Sequence, residues 1–206
     1  MRNLQRQQVS RFGPWCGSWL LALALAGCGG GSENALDPMV AAGNGDQIRV
    51  ELDSAAEIKS TSVPTDPFAA EALAAINAAR AAGAVCGSLS MPPAPPVQWN
   101  TRVAYAALIQ SEWMQSSNSF AHAWPDGTRV GKRLDAAGAN WYLADENIAA
   151  GFGSLDDAMA GWLASPSHCE ALMRSDLTEA GMAVVPGQAD NTYIAYWTMV
   201  LIRPPG

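Results

Sequence analysis

Histidine and basic side chains are scarce in this chain. Its 206 residues include two histidines and 12 lysines and arginines, against 19 aspartates and glutamates, and the formal net charge is -7. Nucleic-acid binding needs clustered lysine and arginine to neutralise phosphates, so this balance predicts no nucleic-acid partner. The sequence also lacks a Gly-x-Ser-x-Gly motif, which argues against a serine nucleophile carried on a strand-to-helix elbow.

The chain is too short for an enzyme with two full domains. Its 206 residues allow one domain of ordinary size and an appendage. A composition of 49% hydrophobic and 15% charged residues is that of a globular protein and excludes a collagenous or wholly disordered chain. We therefore expect one hydrophobic core.

No apolar run near the N-terminus is long enough to span a bilayer. Arginines without acidic residues precede the apolar run over residues 19–26, which has the length of a signal-peptide core. The run ends in Leu25-Ala26-Gly27-Cys28, which resembles the bacterial lipobox, whose cysteine thiol is acylated and whose signal is cut just before that cysteine. We predict a lipoprotein-type signal peptide over residues 1–27, lipidation of Cys28, and membrane attachment through that anchor.

The residues after Cys28 predict the location and the domain boundaries. Gly29 stands where inner-membrane lipoproteins of proteobacteria carry aspartate, so we expect export to the envelope, at the outer membrane or facing the periplasm. Residues 28–65 begin with a Gly/Ser run and lack sustained periodicity, which is typical of a flexible tether. The folded domain is predicted over residues 66–206.

The folded part alternates helices with late strands. Capping residues and apolar periodicity predict helices over residues 66–82, 100–116, 129–137 and 154–164, the last ended by Pro166. Apolar runs predict strands over residues 146–149, 181–185 and 192–202. This order favours a layered α+β domain with a small antiparallel sheet.

Two cysteines remain for the exported domain. Cys16 lies within the signal and Cys28 is the predicted lipidation site, so Cys86 and Cys169 are left. Exported thiols are usually oxidised, and we predict a disulfide between them. This bond would also remove the thiolate that a nucleophilic Cys169 would need.

Both histidines stand in loop-like surroundings where clefts form. His122 follows a Ser-Phe-Ala segment and His168 follows Ser-Pro-Ser, while Asp145-Glu146-Asn147 leads into an apolar strand between them. Two imidazoles and a carboxylate on separate elements can hold a divalent metal or activate water. The spacing alone matches no local metal motif.

Four motifs in order carry a resemblance that covers most of the folded part. They are Phe120-x-His122, Glu146-Asn147-Ile148-Ala149-x-Gly151, Trp162-x-x-Ser165-Pro166-x-His168, and the terminal Tyr196-Trp197-Thr198 strand preceded by Gly181. This set resembles the bacterial form of the CAP superfamily, also called SCP/TAPS or PR-1-like. The resemblance implies an α-β-α sandwich.

The resemblance also implies a functional cleft. His122, Glu146 and His168 match three members of the family's tetrad of two histidines and two glutamates, and Ser165 stands at the fourth position. The family implies Zn²⁺ or another divalent cation there. We expect the three matching side chains to share one groove, with Asp145, Asn147, Ser165 and Trp124 as candidate lining residues.

Three functions remain open from the sequence. The first is an envelope-anchored binding module whose cleft holds a metal or a small or lipidic ligand without turnover, since lipid and sterol binding occurs in the family. The second is a hydrolase of envelope or peptide substrates, metal-dependent or acid/base, with Glu146 as the candidate catalytic base. The third is a purely structural domain.

Two tryptophans and a group of basic residues complete the sequence analysis. Trp124 and Trp141 are flanked by polar residues and are the tryptophans to examine for ligand stacking. Arg129, Lys132 and Arg133 form one basic side of a predicted helix, and we expect that side to be solvated.

Overall fold

A computed structural model of the chain describes residues 39–40 and 66–206. The predicted signal peptide, Cys28 and the remainder of the tether lie outside them. The described helices are α1 (Pro67–Ala82), α2 (Thr101–Ser116), α3 (Val130–Ala136), α4 (Leu155–Ala164) and α5 (Pro166–Met173). The described strands are β1 (Met39–Val40), β2 (Ala84–Cys86), β3 (Leu89–Met91), β4 (Gln98–Trp99), β5 (Leu143–Ala150), β6 (Glu179–Pro186) and β7 (Ala195–Arg203). None of the helices in this part of the chain has the length and apolarity needed to cross a bilayer.

The main sheet has the strand order β1-β5-β7-β6-β4. Its three long strands are antiparallel, as predicted, but the two-residue strands at its edges pair in parallel, β1 with β5 and β4 with β6. The predicted small antiparallel sheet is therefore confirmed in its long strands, and two short parallel pairs extend it at the edges. Parallel pairing needs a long crossover, and helices lie between the partners in both cases. Strand β1 also adds two residues of the predicted tether to the sheet.

Local capping sets the helix starts, as the sequence indicates. The Asp66 carboxylate accepts from the Phe68 amide, and the Asn100 side chain accepts from the amides of the first turn of α2. The Ser154 hydroxyl accepts from the Asp157 amide and donates to the Asp157 carboxylate. Each cap satisfies amide groups that have no partner within the helix.

Pro166 both ends one helix and begins another. Helix α4 ends at Ala164, as predicted, but Pro166 occupies the first turn of α5, which the sequence analysis did not predict. A proline lacks an amide hydrogen and has a fixed φ, and both properties are tolerated in the first helical turn. The result places His168 on a helix at the edge of the functional region.

Helices cover both faces of the sheet, which confirms the predicted α-β-α sandwich. Helix α2 lies on one face, where Val103 and Ala107 pack with Ala183 and Val200. Helices α1, α4 and α5 lie on the other face, with residues such as Ile76, Trp162 and Leu172 in one core cluster with Trp197. Gly181 allows the backbone of α2 to approach β6 so closely that a side-chain methyl group there would overlap it.

The predicted disulfide is present and joins the β2–β3 hairpin to helix α5. Cys86 at the end of β2 is bonded to Cys169 in α5, with their Cα atoms 5.4 Å apart. Strands β2 and β3 form a separate antiparallel hairpin. The bond therefore fixes this small hairpin to α5, since a two-stranded hairpin by itself is marginally stable.

Arg80 fixes the end of α5 from within the core. It is fully buried, and its guanidinium donates to the carbonyls of Leu172, Arg174, Leu177 and Pro95 at 2.7–3.1 Å. The bonds to Leu172 and Arg174 satisfy carbonyls that the end of α5 leaves without partners within the helix. They also position Arg174, whose side chain reaches the functional region.

Candidate functional site

A cavity of about 380 Å³ lies beside the first half of β5. Strand β5 supplies Ala144, Asp145 and Glu146, the segment leading into α3 supplies His122 and Arg129, and α3 begins with the lining residue Val130. Helix α5 and the residue after it supply Ser167, Glu170, Ala171 and Arg174, and the β2–β3 hairpin supplies Leu89 and Met91. The cavity therefore joins charged groups to an apolar wall.

Glu146 forms the polar centre of the cavity. One carboxylate oxygen contacts His122 Nδ1 at 2.8 Å, and the other accepts from Arg133 Nη2 at 2.7 Å. The side chains of Glu146 and Arg133 are 4% and 1% exposed, and that of His122 is 16% exposed. A buried carboxylate requires compensation of this kind, and here a guanidinium and an imidazole provide it together.

Arg133 is a component of this site and not part of a solvated basic face, so that expectation was wrong. Its side chain lies behind Glu146 and also donates to the His122 carbonyl at 3.3 Å. Lys132 is exposed, as expected, and Arg129 is exposed but also lines the cavity. Arg133 is buried because it pairs with the Glu146 carboxylate of β5. The periodicity of a helix depends on its own residues and gives no information about a charge on another element.

A second ion-pair group lines the opposite wall. Arg174 Nη1 donates to Asp145 at 2.9 Å, and its other nitrogens donate to Asp176. Burial raises the pKa of Asp145 although the ion pair with Arg174 opposes this, because the carboxyl is largely desolvated. Hydrogen bonding to Arg174 lowers the pKa of Asp176, which is better solvated.

His168 is close to the cavity but does not line it. Its ring is buried, and Nδ1 lies 2.8 Å from the Ser165 hydroxyl, at the position where the family tetrad has its second glutamate. Its carbonyl accepts from the buried Asn147 side chain at 3.0 Å. The structure therefore brings His122 together with Glu146 and places His168, Ser165 and Asn147 in a neighbouring hydrogen-bonded group.

Of the remaining candidate residues, one lines the cavity and two tryptophans do not. Asp145 lines the cavity, whereas Trp124 does not. Trp124 stacks on Trp113 with ring centroids 5.5 Å apart and donates to the Gln110 side chain. Trp141 donates to Asp135 and packs beside the α2–β6 core. Both tryptophans thus support the walls of the fold and have no place on the cavity surface.

The residues present do not assemble a complete metal shell. Within residues 66–206, no three histidine, cysteine or acidic side chains converge as metal ligands. Both Glu146 oxygens already accept hydrogen bonds, and His122 Nε2 is the cavity nitrogen that lacks a hydrogen-bond partner among the described residues. Structural and catalytic zinc sites use three or four protein ligands, so this donor set does not fit one.

Comparison with known proteins identifies the family that this geometry belongs to. The profile of the Cysteine-rich secretory protein family, CAP, matches residues 73–201. This chain belongs to the CAP family. The match includes all four sequence motifs that carried the resemblance, together with His122, Glu146 and His168.

Individual similar proteins match this chain over different shares of their own length. The uncharacterized membrane protein YlbC from Bacillus subtilis is 31% identical over 101 residues, which is 49% of this chain and 29% of YlbC. An extracellular protein containing an SCP domain from Bacillus anthracis is 31% identical over 53% of this chain and 34% of that chain, with a TM-score of 0.46. An outer surface protein from Borrelia burgdorferi is 20% identical over 66% of this chain and 94% of that chain, with a TM-score of 0.52. This chain thus spans about a third of the first two relatives, and the third shares its fold.

Sequence reasoning missed the two arginines that pair with the carboxylates of this CAP site, and it placed neither Arg129 nor Glu170 at the cavity. Arg133 was assigned to solvent and Arg174 was not considered. The signal available for Arg133 was the Glu146 carboxylate at the start of an apolar stretch of strand. A buried carboxylate needs a cation nearby, and the sequence analysis named no arginine or lysine for Glu146. For Arg174 the sequence offers no comparable signal, because its position depends on the end of α5 and on Arg80.

Proposed function

We propose that this CAP protein is exported, lipid-anchored through Cys28, and binds a small ligand in its cavity without turnover. The observation that carries the proposal is the state of Glu146, whose two carboxylate oxygens are held by His122 and Arg133. A carboxylate that already accepts a charge-assisted bond from arginine is a poor acceptor for a proton from water. This favours binding over general-base catalysis by Glu146.

The lining supports an amphiphilic ligand. The hairpin residues Leu89 and Met91 and the α5 residue Ala171 form an apolar wall, while His122 and Glu146 offer polar atoms opposite it. Pockets that combine apolar surface with a few placed polar groups are typical of small-molecule sites. His122 Nε2, which has no hydrogen-bond partner in the described part of the chain, is the group we expect to contact the ligand.

Ligand retention tests this proposal. Wild-type protein, His122→Asn and the exposed-site control Lys132→Met would be incubated with a total envelope lipid extract, recovered and analysed by mass spectrometry. We expect the wild type and Lys132→Met to retain the same unchanged compounds and His122→Asn to lose them. Equal retention by all three proteins, with the fold of each checked by thermal unfolding, would contradict the proposal.

Calorimetry with Zn²⁺ tests the divalent cation that the family resemblance implied. Because no three histidine, cysteine or acidic side chains converge among the described residues, we expect no tight Zn²⁺ binding at neutral pH. Tight binding that is lost in both His122→Asn and His168→Ala would show that the tetrad assembles around the metal, and the metal-free proposal would then be wrong.

A second candidate function is acid/base hydrolysis with His122, not Glu146, as the base. The contact between Glu146 and His122 Nδ1 favours the ring with Nε2 as acceptor, which is the arrangement of an oriented general base. Chemical change in the retained compounds, abolished in His122→Asn but not in Lys132→Met, would favour hydrolysis over simple binding.

Cell fractionation tests the anchor. We expect Cys28→Ala to move the protein from the membrane fraction to a soluble or uncleaved precursor pool, because several acyl chains are needed for firm attachment. Metabolic labelling with a palmitate analogue should label the wild type and not Cys28→Ala. Labelling of the variant would exclude Cys28 as the lipidation site.

A further inference from the structure

The β2–β3 hairpin carries two large apolar side chains that are exposed. Val85 in β2 is 70% exposed and Leu89 in β3 is 48% exposed, although Leu89 also lines the cavity. Gly87, at φ 62°, begins the two-residue turn that joins the strands. The hairpin is therefore a narrow apolar projection at the rim of the cavity.

The sequence around the hairpin is uncharged. Residues 81–101, between Arg80 and Arg102, include no aspartate, glutamate, lysine, arginine or histidine, whereas 15% of the whole chain is charged. Most of the hairpin is nevertheless exposed to solvent. Exposed apolar patches mark contacts with membranes or with other proteins, so the hairpin is a surface that we expect to leave water when it binds.

Apolar side chains lie on both faces of the hairpin. Directly opposed residues of paired strands share a face, and the register opposes Cys86 to Leu89 and Val85 to Ser90. Leu89 therefore lies on the face of the disulfide, and Val85 lies on the other face. A protein partner seated on one face would leave the other side chain in water. A lipid layer surrounds whatever enters it and covers both.

A lipid surface also fits the size of this projection. Stable protein–protein interfaces bury about 800 Å² on each partner, and two side chains expose much less than that. Contact with lipid has no such requirement when the chain is already anchored to the bilayer, because the anchor makes the second contact intramolecular.

The predicted lipid anchor would hold the hairpin close to a bilayer. Strand β1 joins Met39 to the sheet beside Ala149, so residues 28–38 are the chain between Cys28 and the domain. At 3.3–3.6 Å per residue, these eleven residues extend about 40 Å at most. This reach is close to the diameter of a small domain, about 30 Å. An anchored domain is therefore confined to a thin layer in which a weak contact with lipid is sufficient.

We infer that the β2–β3 hairpin enters the outer part of a lipid layer through Val85 and Leu89. The inference rests on the proposed anchor at Cys28 and on the proposed ligand site, and it adds a membrane contact to them. Leu89 belongs both to the exposed surface and to the cavity lining, so an amphiphilic ligand can pass between lipid and cavity along one apolar surface. Because residues 81–101 carry no basic side chain, the contact does not need anionic headgroups and should be insensitive to salt.

Coupling of the mature chain to vesicles tests the inference without relying on acylation in the cell. Cys28 is the one cysteine of the chain outside the predicted signal peptide and the disulfide, so its thiol can be joined to a maleimide lipid in phosphatidylcholine vesicles. The reference is the same chain blocked at Cys28 with N-ethylmaleimide. We expect amide hydrogen exchange in the exposed turn, at Gly87 and Ser88, to be at least about fivefold slower on the vesicles.

A charge placed on the hairpin separates lipid contact from the ligand site. Val85 does not line the cavity, so Val85→Asp should leave ligand retention unchanged. A carboxylate is costly to move into hydrocarbon, and we expect exchange in this variant to return to within about twofold of the blocked chain.

Ile194→Asp is the matched control for Val85→Asp. Ile194 is 38% exposed and precedes β7, whose start pairs with the end of β5, whereas the cavity lies beside the first half of β5. This variant should keep the slow exchange at Gly87 and Ser88. Thermal unfolding of both variants checks that they fold.

Four results would overturn the inference. These are equal exchange at Gly87 and Ser88 on vesicles and in the blocked chain, equal slowing in Val85→Asp, slowing that disappears in high salt, and slowing in the blocked chain that grows with protein concentration. The last result would assign the hairpin to a second copy of the chain. Failure of ligand retention or of palmitate labelling, with slow exchange preserved on the vesicles, would instead refute the proposed function and leave the hairpin contact intact.

Discussion

Removing the Arg133 guanidinium should strongly destabilise the domain. The Arg133 and Glu146 side chains are 1% and 4% exposed, and their closest atoms are 2.7 Å apart. Arg133→Met keeps a long apolar stem but leaves the Glu146 carboxylate with His122 alone. Breaking a buried ion pair by deleting one partner costs about 3–5 kcal/mol, and almost no solvent is present here to reduce that cost. We expect a loss of this size in the free energy of unfolding.

Urea unfolding at neutral pH, followed by tryptophan fluorescence, measures this loss. Lys132→Met is the matched control, because its neighbouring side chain on α3 is exposed and the same substitution should change stability by less than about 0.5 kcal/mol. The double variant Arg133→Met/Glu146→Gln should lose less stability than the two single changes added together, since no buried charge is left unpaired. A loss in Arg133→Met no larger than that in Lys132→Met, or strict additivity in the double variant, would refute this account of the site.

Three further predictions concern the cavity walls and the sandwich. Replacing both Cys86 and Cys169 by serine should cost about 4–5 kcal/mol on the chain-entropy account, because the bond joins residues 83 positions apart, and it should weaken ligand retention; unchanged urea midpoints would contradict this. Because burial raises the pKa of Asp145 above 3.8, the folded state holds this proton more tightly, so its contribution to stability is present below pH 3.8 and is lost as pH rises through the raised pKa. In urea titrations, the free energy of unfolding of the wild type relative to Asp145→Asn should therefore fall as the pH rises from 3.8 through the raised pKa of Asp145. A rise of this difference with pH would show that the ion pair with Arg174 dominates. Gly181→Ala should cost about 1–3 kcal/mol or more, because its methyl group overlaps the backbone of α2, and a thermal midpoint equal to that of the wild type would show that α2 can move away.

Local signals in the sequence predicted the helices well. Asp66, Asn100 and Ser154 lie where the helices α1, α2 and α4 begin, and their side chains accept the amide bonds that a cap requires. A capping side chain bonds an amide within three residues of the helix start. Such caps can therefore be recognised from the sequence without knowledge of the fold. The same locality explains the missed helix α5, because Pro166 is compatible both with an end and with a beginning.

The motifs also identified the polar pair of the cavity. His122 and Glu146 are separated by 24 residues, and the resemblance to the CAP family placed them together before the contact at 2.8 Å was seen. The grouping of His168 with them in one groove was an expectation from the same source. The tertiary structure instead gives its ring nitrogen a hydrogen bond to Ser165, three residues away on the same segment.

The sequence by itself determined the class of fold, the starts of α1, α2 and α4, the cysteine pair and the family, because each depends on neighbouring residues, counting or motif order. Tertiary structure alone decided that Arg133 is buried against Glu146, that Arg174 reaches Asp145, and that the first half of β5 lines the cavity. Charges on separate elements pair only after those elements pack, and a cavity exists only once its walls have come together. The energy of a buried charge depends on these distant partners, which no local pattern along the chain records.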